Sequence, residues 1–538
     1  MDRFLLDRVR EDTPQMNPDI ANGLAVKHIP FALQYIDSVF RSISKDFPPG
    51  LTYVNCRKCT PFEEFYDEPR KKNNKRVVDI ARSDISLVRF NFRYEGKDLP
   101  PKYIYLPFVG EAGSIVLGGS RFFISPVLSD IILSYEDDNI FVRLLRDKFT
   151  IRRIKHNFAI DGVRETESVA WSLIYHVNKD QRKQKKVSNA KTTLVHYLLC
   201  RYGFDEMFQR FGNCLPVIGT HAIIPENYPP NEWVICSTYS FSVGKATGSR
   251  IYHEPTKIKL AIRKKDFTPM VKSLVVGFFY TVDHFPYRIS PEYVNSTRIW
   301  KTLMGLLLFG NELSEGRLHD DIDAHIRSLD EYVDTLTQPK FEMINLPCSD
   351  IYQFFAIAVE KLNEWIMQAP ERTNSLYDKE LSVLYDTFLP MTTAIFNFYF
   401  KLKTAAAKGL TEKEVVKLMD MYIKPKSIFY LTKQPTGVSN MSYSGDNKLL
   451  KITTVMVPQK NKNAGGNKGD DLESLSDKAK RLHVSFAEVG NFSNLPKSNP
   501  TGDSRVAPYL RLDPNGKVLQ NPDRIHLLNE VSAMIKRN

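Results

Sequence analysis

The stretch "VVDIARSDISLVRFNFRY", residues 77–94, decides the fold class, because β-branched and aromatic residues alternate along it as they do in a strand. Similar patterns continue in "KYIYLPFV" (102–109), "GSIVLGGSRFFIS" (113–125) and "NIFVRLLRDKFTIRRI" (139–154). The region from 77 to 154 is therefore predicted to be rich in strands.

Helical patterns lie mostly elsewhere in the chain. An early helix is predicted over 29–47, and an amphipathic one over 296–313 that stops near Gly310 and Asn311. Three more are predicted over 350–368 with Asp350 as N-cap, over 381–409 with an interruption at Pro390, and over 411–422 with a capping box from Thr411 to Glu414. Because helices and strands segregate instead of alternating as βαβ units, the predicted class is α+β.

Composition indicates a large protein with a polyanionic partner. The 538 residues correspond to two to four domains, and the net charge of +12 favours nucleic acid first and a membrane surface second. The most apolar runs, 273–282 and 304–310, are interpreted as a buried strand and a buried helix segment, since both are too short to span a bilayer. The N-terminal residues are predicted not to be a signal peptide, and the six cysteines are interpreted as reduced thiols of a cytoplasmic protein.

Three short motifs could carry chemistry, and each has an ordinary structural interpretation. "CRKC" (56–59) could be half of a zinc site, but no second close pair exists, so two loop thiols are favoured. "SVGKATGSR" (242–250) lacks the phosphate-loop spacing, which favours a strand-to-strand turn. "HDDIDAH" (319–325) clusters carboxylates as a divalent cation would require, but a solvated helix start is favoured.

Basic residues are clustered, and any one cluster is more often a solvated face than a binding site. The clusters are Arg70, Lys71, Lys72, Lys75 and Arg76; Arg182, Lys183, Lys185 and Lys186; Arg263, Lys264 and Lys265; and Lys478, Lys480 and Arg481. The last cluster is followed by a polar loop whose prolines could hold phosphate-binding side chains at low entropic cost. No familiar catalytic motif is present in the sequence.

That polar loop, "SNPTGDSRVAPYLRLDPNGKVL" (498–519), resembles a motif of the large β subunit of multisubunit RNA polymerases. The β pattern runs His-Pro-Thr-His-Tyr-Gly-Arg-Ile-Cys-Pro and is followed by a second turn. Residues 499–508 keep Pro, Thr, Arg, an aliphatic residue and Pro in register, without both histidines and the tyrosine, and "DPNG" (513–516) stands at the second turn.

Two further matches to β occur in the expected order. Residues 113–125 look like a strand–turn–strand pattern of β, without its glutamate. "DDID" (320–323) is identical to the start of another β motif but continues differently, which shifts its interpretation from a metal site to a domain-junction element.

The family continues for hundreds of residues beyond the point where this chain ends, at Asn538. The resemblance therefore covers only the N-terminal half of β, made as a separate polypeptide, as in the split subunits of phiKZ-like giant bacteriophages. We favour the non-virion enzyme of such phages over the virion-packaged one.

The resemblance implies an α+β, multidomain architecture with protrusion, lobe and fork regions. Residues 1–145 and the helical segment 326–435 would form the protrusion, and 146–325 the lobe. Residues 436–538 would form the fork, with a mobile loop at 459–471.

The same resemblance implies a subunit of DNA-directed RNA polymerase, a nucleotidyltransferase, which is inactive as an isolated chain. Two Mg²⁺ ions would be held by a β′-like partner, so no catalytic or metal-binding residue and no cofactor is assigned here. The implied partners are a C-terminal β-like polypeptide, β′-like polypeptides, the DNA template, the RNA product and nucleoside triphosphates, with no membrane. The enzyme would act inside the infected host cell, or reside in the virion if packaged.

The predicted contacts with template or RNA–DNA hybrid are basic or polar side chains of the fork region, namely Lys480, Arg481, Lys497, Arg505 and Asn515. Two other functions stay open at this point. One is a non-catalytic phage structural or DNA-organising protein. The other is a metal-dependent nuclease that uses Asp320, Asp321 and Asp323.

Overall fold

A computed structural model describes most of the chain, and every structural statement below concerns the described part. The described residues are 16–22, 24–45, 47–60, 62–63, 71–72, 75–76, 85–107, 114–117, 120–123, 126–136, 139–144, 148–172, 192–243, 250–253, 256–285, 288–309, 315–330, 332–333, 337–372, 375–382, 384–406, 409–423, 441–442, 454–457, 483, 485–490 and 502–521.

Helices occur throughout the described part of the chain. They are α1 (Pro18–Asn22), α2 (Leu24–Ser44), α3 (Leu194–Met207), α4 (Pro269–His284), α5 (Thr297–Phe309), α6 (Glu315–Leu329), α7 (Thr337–Met343), α8 (Ile351–Arg372), α9 (Leu384–Ala406), α10 (Glu412–Tyr422) and α11 (Ser485–Val489).

Strands concentrate in the first half of the chain, as the alternating patterns predict. They are β1 (Leu51–Lys58), β2 (Lys71–Lys72), β3 (Lys75–Arg76), β4 (Ile85–Tyr94), β5 (Lys97–Asp98), β6 (Lys102–Pro107), β7 (Ser114–Leu117), β8 (Ser120–Phe123), β9 (Val127–Asp130), β10 (Leu133–Glu136), β11 (Asn139–Arg143), β12 (Lys148–Ile160), β13 (Val163–Ser172), β14 (Thr192–Thr193), β15 (Val217–Gly219), β16 (Trp233–Thr238), β17 (Ser240–Val243), β18 (Arg250–His253), β19 (Lys259–Arg263), β20 (Lys379–Ser382), β21 (Met441–Ser442), β22 (Thr454–Val457) and β23 (Gly502–Arg505). The mixed content and the several sheets confirm the α+β class.

The chain divides into two compact units. The first unit comprises residues 1–131 and 374–538, and the second comprises 132–373. This division differs from the predicted boundaries after 145, 325 and 435, because β10 and β11 pair with β12, and α8 packs against these strands within the second unit. The assignment of segments to protrusion, lobe and fork regions stays a prediction, and the loop at 459–471 lies outside the described residues.

The first unit contains a sheet in the order β1-β4-β5, in which β6 also pairs with β4 on the edge opposite β1. Helix α2 packs on it through Phe40, whose ring lies 5.4 Å from that of Phe90. Burying such rings contributes about 1.5–3 kcal/mol each. Helix α10 is joined to β6 by an ion pair of 2.5 Å between Lys102 Nζ and Asp420 Oδ1. The capping box predicted for α10 is confirmed, since Thr411 and Glu414 bond reciprocally.

The second unit is built on a sheet in the order β10-β11-β12-β16-β19-β15, with β13 and β14 continuing from β12. Helices α3, α4 and α8 pack together beside this sheet. The aromatic core between them includes Phe204 and Phe278, whose rings lie 5.0 Å apart and are both fully buried. Asp350 begins α8 as predicted, because its carboxylate accepts a bond of 2.9 Å from the Gln353 N–H.

Two of the predicted helices and strands differ from the structure. The run 273–282 is not a strand but the middle of α4, where ten residues from 271 to 282 are buried. A helix that is apolar on all sides shows no 3.6-residue period and cannot be told from a buried strand by pattern. Pro390 does not interrupt α9, and the residues 381–382 predicted for that helix belong to β20.

Candidate nucleic-acid interface

Four short strands from distant parts of the chain form one sheet in the first unit, in the order β20-β9-β22-β23. Leu381 of β20 lies opposite Leu128 of β9, and Thr454 of β22 lies opposite Arg505 of β23. We call this the junction sheet. It incorporates residues 502–505 of the stretch that carries the polymerase resemblance, so that stretch is not entirely a loop.

Residues 513–517 form the turn that the sequence "DPNG" predicts. The Asp513 carboxylate accepts backbone N–H bonds from Asn515 (2.8 Å) and Lys517 (2.7 Å). An aspartate that bonds backbone donors two and four residues ahead fixes a tight turn. Gly516 completes the turn with φ of +93°, a conformation that side chains with a Cβ rarely adopt.

This turn is fastened to the outer edge of β20 by backbone bonds. The Leu381 N–H donates to the Gly516 carbonyl at 2.8 Å, and the Val518 N–H donates to the Lys379 carbonyl at 3.0 Å. A Cβ on Gly516 would lie 2.4 Å from the Leu381 carbonyl oxygen. Glycine is therefore required at position 516 for two reasons: its positive φ and the close approach of the two backbones.

Buried polar groups anchor the end of the described segment. Glu488 of α11 is 3% exposed, and its carboxylate accepts from the Tyr377 hydroxyl at 2.5 Å and from the Asn521 N–H. Burial, reinforced by this carboxylate, raises the pKa of Tyr377 above its usual value. Nearby, Lys379 Nζ lies 2.6 Å from Asp130 Oδ1. None of these residues could be identified from the sequence, because no local pattern links positions so far apart.

Two of the predicted contact residues lie in the described part of the chain. Arg505 is half-buried at the end of β23, and Asn515 is exposed in the turn beside β20. β20 and β23 are opposite edges of the junction sheet. Strands lie about 4.8 Å apart, so three strand spacings put about 14 Å between the two edges. The structure therefore does not bring Arg505 and Asn515 into one cluster.

The other predicted contact residues, Lys480, Arg481 and Lys497, lie outside the described residues. Of the remaining motifs, the turn predicted at 242–250 is flanked by the antiparallel pair β17 and β18. Cys56 lies on β1 rather than in a loop, and burial raises the pKa of its thiol to about 11.

The "HDDIDAH" cluster is neither a helix start nor a domain-junction element. It lies inside α6, within the second unit. Asp323 pairs with Lys301 at 2.8 Å, and the buried His325 bonds the Tyr197 hydroxyl at 3.1 Å. The C-terminal half of the motif therefore contributes to packing and pairing between helices. In the described ranges, no group of three or more His, Cys, Asp or Glu side chains could hold a metal ion.

A comparison with protein families gives one match that spans almost the whole chain. Residues 3–532 match the model of a family described as non-virion RNA polymerase subunit. The chain belongs to this family. The predicted choice of the non-virion enzyme over the virion-packaged one is thereby confirmed. No curated protein matches the chain.

As a non-virion RNA polymerase subunit, the chain works with other polymerase subunits and with nucleic acid. None of the helices in the described ranges is long and apolar enough to cross a membrane. The junction sheet and its attached turn contain residues 502–505 and 513–516 of the stretch that resembles β, and the structure describes both segments.

Proposed function

We propose that this subunit is the N-terminal half of a split β subunit and helps to hold DNA and the RNA–DNA hybrid beside the active centre. Its partners are a C-terminal β-like polypeptide and β′-like polypeptides, one of which binds the Mg²⁺ ions used for nucleotidyl transfer from nucleoside triphosphates. The isolated chain is inactive, and the enzyme acts inside the infected host cell.

One observation carries this proposal. The first and last motifs that resemble β lie far apart in sequence, at 113–125 and 498–519, yet both are parts of the first unit. β9 directly follows the first motif, and only β22 separates it from β23 of the last motif. The first motif also forms the predicted strand–turn–strand element, as β7 pairs with β8. Motifs that serve one centre are expected to converge in this way.

Within this proposal, Arg505 is the described side chain that binds a backbone phosphate, and Asn515 supplies a second contact at the other edge of the junction sheet. Guanidinium groups bind phosphate with charge-assisted bonds. Lys480, Arg481 and Lys497 are proposed as further contacts of the same region.

The first test is co-purification of the tagged chain from its native source. The proposal requires partners that bear the Asp-Phe-Asp-Gly-Asp motif of β′, together with a β-like polypeptide that lacks this N-terminal half. A complex that already contains a complete β subunit would contradict it. Robust RNA synthesis by the isolated chain would contradict it as well.

The second test is transcription by the reassembled enzyme with Arg505→Ala. We expect elongation to fall about tenfold or more, since a lost charged hydrogen bond costs about 1.5–3 kcal/mol, while assembly is unchanged. Arg511→Ala is the matched control, because Arg511 is an exposed arginine of the same segment. Equal elongation by the two variants would refute the role of Arg505.

The same preparations address the two alternatives left open by the sequence. Capsid proteins as the only partners would favour a structural or DNA-organising protein. Mg²⁺-dependent DNA cutting that is abolished by Asp321→Asn would favour a nuclease.

A further inference from the structure

The register of four neighbouring strands in the second unit fixes which side chains share a sheet face. Ala159 of β12 lies opposite Arg164 of β13 and opposite Ser237 of β16. Ser237 in turn lies opposite Lys259 of β19. Residues directly opposite each other point to the same side of a sheet, so Arg164 and Lys259 share a face.

Alternation along each strand extends this face. The same parity on β12 gives Arg153, Lys155 and Asn157, and on β13 it gives Thr166 and Ser168. On β16 and β19 it gives the opposed pair Trp233 and Arg263. We call this the basic sheet face and define it by its five cations: Arg153, Lys155, Arg164, Lys259 and Arg263. None of the positions of these four strands on this face is Asp or Glu.

The opposite face has a different chemistry. Phe158 and Leu260 there are completely buried. The acidic residues of β13, Glu165 and Glu167, also point to that side, where Lys272 of α4 pairs with them at 2.8 Å and 2.7 Å. From residue 153 to residue 168 the register therefore puts Arg153, Lys155 and Arg164 on one face and Glu165 and Glu167, which pair with Lys272, on the other. Arg152 lies on the same side as these carboxylates.

Two arginines of the basic sheet face lie over aromatic rings. The Arg164 guanidinium is 5.8 Å from the centre of the Tyr239 ring, and the Arg263 guanidinium is 5.4 Å from the Trp233 ring. Both arginines and Lys155 are exposed, while the two rings are half-buried. A guanidinium is a planar cation, and nucleic-acid bases stack on such planes.

We propose that the basic sheet face binds single-stranded nucleic acid. The exposed cations of this face attract the phosphate backbone, and planes that accept stacked bases are accessible only to unpaired bases. The three exposed cations come from β12, β13 and β19, so a strand that contacts all of them crosses the sheet. This surface belongs to the second unit, so it is a site beyond the one described under the proposed function and does not depend on it.

The test is fluorescence anisotropy of a labelled single-stranded oligonucleotide titrated with the full chain at several salt concentrations. The variant combines Lys155→Ala, Arg164→Ala and Arg263→Ala. We expect at least a tenfold rise in Kd. We also expect the slope of log K against log salt to shrink by about 2, since each phosphate contact with a single strand contributes about 0.7.

The matched control is Lys401→Ala, Lys413→Ala and Lys417→Ala, which removes three exposed cations of the first unit. The control is expected to change Kd less than twofold. Equal losses of affinity in both triple variants would mean that net charge alone drives binding and would overturn the proposal. An unchanged Kd in the variant of the basic sheet face would overturn it as well. Tighter binding of the corresponding duplex, or competition by polyglutamate at equal charge, would assign the face to a different partner.

Arg164→Lys separates stacking from charge, because it retains the cation and removes the plane. We expect Kd to rise about fivefold with the salt slope unchanged, since loss of one stacking contact costs about 1 kcal/mol or more. If the triple variant does not fold, the single variant Lys155→Glu is used in the same titration. Lys155 is exposed, and its replacement leaves the arginine–aromatic pairs intact. Wild-type Kd in that variant would overturn the proposal.

Discussion

Gly516→Ala is the substitution that most directly tests how the polymerase-like stretch is held. Gly516 has φ of +93°, and a Cβ there would lie 2.4 Å from the Leu381 carbonyl oxygen. A carbonyl of the backbone cannot turn aside as a flexible side chain can. The turn at 513–517 must therefore move away from β20.

The expected cost has two components. An alanine at positive φ lowers the free energy of unfolding by about 1–2 kcal/mol. The lower entropy of the unfolded alanine variant offsets about 0.4–1 kcal/mol of this loss. Moving the turn away also breaks two backbone hydrogen bonds, from the Leu381 N–H to the Gly516 carbonyl (2.8 Å) and from the Val518 N–H to the Lys379 carbonyl (3.0 Å). Each of them contributes about 1 kcal/mol. The total is about 3 kcal/mol.

Gly96→Ala is the matched control, since Gly96 also has positive φ, +79°, in the first unit but has nothing within 4 Å of its Cβ position. It should cost about 1 kcal/mol, which is the conformational component alone. Hydrogen exchange measures both variants: the Leu381 amide should lose protection by about a hundredfold in Gly516→Ala and by much less in Gly96→Ala. Equal protection of Leu381 in the two variants would refute the requirement for close backbone approach.

Three other predictions concern stability. Gly277→Ala should cost about 1–3 kcal/mol, because the new Cβ would lie 2.3 Å from Val195 Cγ2; in a double-mutant cycle Val195→Ala should recover part of that loss, and purely additive costs would argue against the contact. Hydrogen bonding to Arg57 lowers the pKa of Glu63 to about 2 from 4.5. The stabilising contribution of Glu63 is therefore present above pH 4.5 and is lost as the pH falls towards 2. Glu63→Gln should flatten the decline of stability in that pH range, as measured by denaturant titration. Thr411→Ala should cost about 1 kcal/mol by loss of the capping box and Thr411→Ser much less, which thermal unfolding can compare.

Elements with local signals could be predicted from the sequence. The helix beginning after Asp350 and the capping box of Thr411 and Glu414 require only residues within one turn of each other, and both are present. The alternating stretch 77–94 contains β4, which supplies the centre of the first sheet. The resemblance to RNA polymerase was also visible in the sequence, as the family match over 3–532 confirms.

Elements that depend on distant partners could not be predicted in this way. The strands of the junction sheet have four residues each and come from segments separated by tens to hundreds of positions. Strands this short show too few alternating positions to identify a buried face. For α4, the Thr268 N-cap and Pro269 at the first helical position were a usable signal, and the apolar run alone was misleading.

The net charge of +12 predicted a polyanionic partner but could not say where it binds. The site that we propose for it follows from the register of the strands, which directs the carboxylates of β13 towards Lys272 and directs Lys155 and Arg164 towards the other face. In the polymerase-like stretch, the turn residues are used for the fold itself. Asp513 and Gly516 build the turn with backbone bonds, whereas the Asn515 side chain is exposed and only its N–H is used. The turn therefore holds the end of that stretch to β20, and Asn515 is the position in the turn where the proposed contact with nucleic acid can be removed without removing the turn.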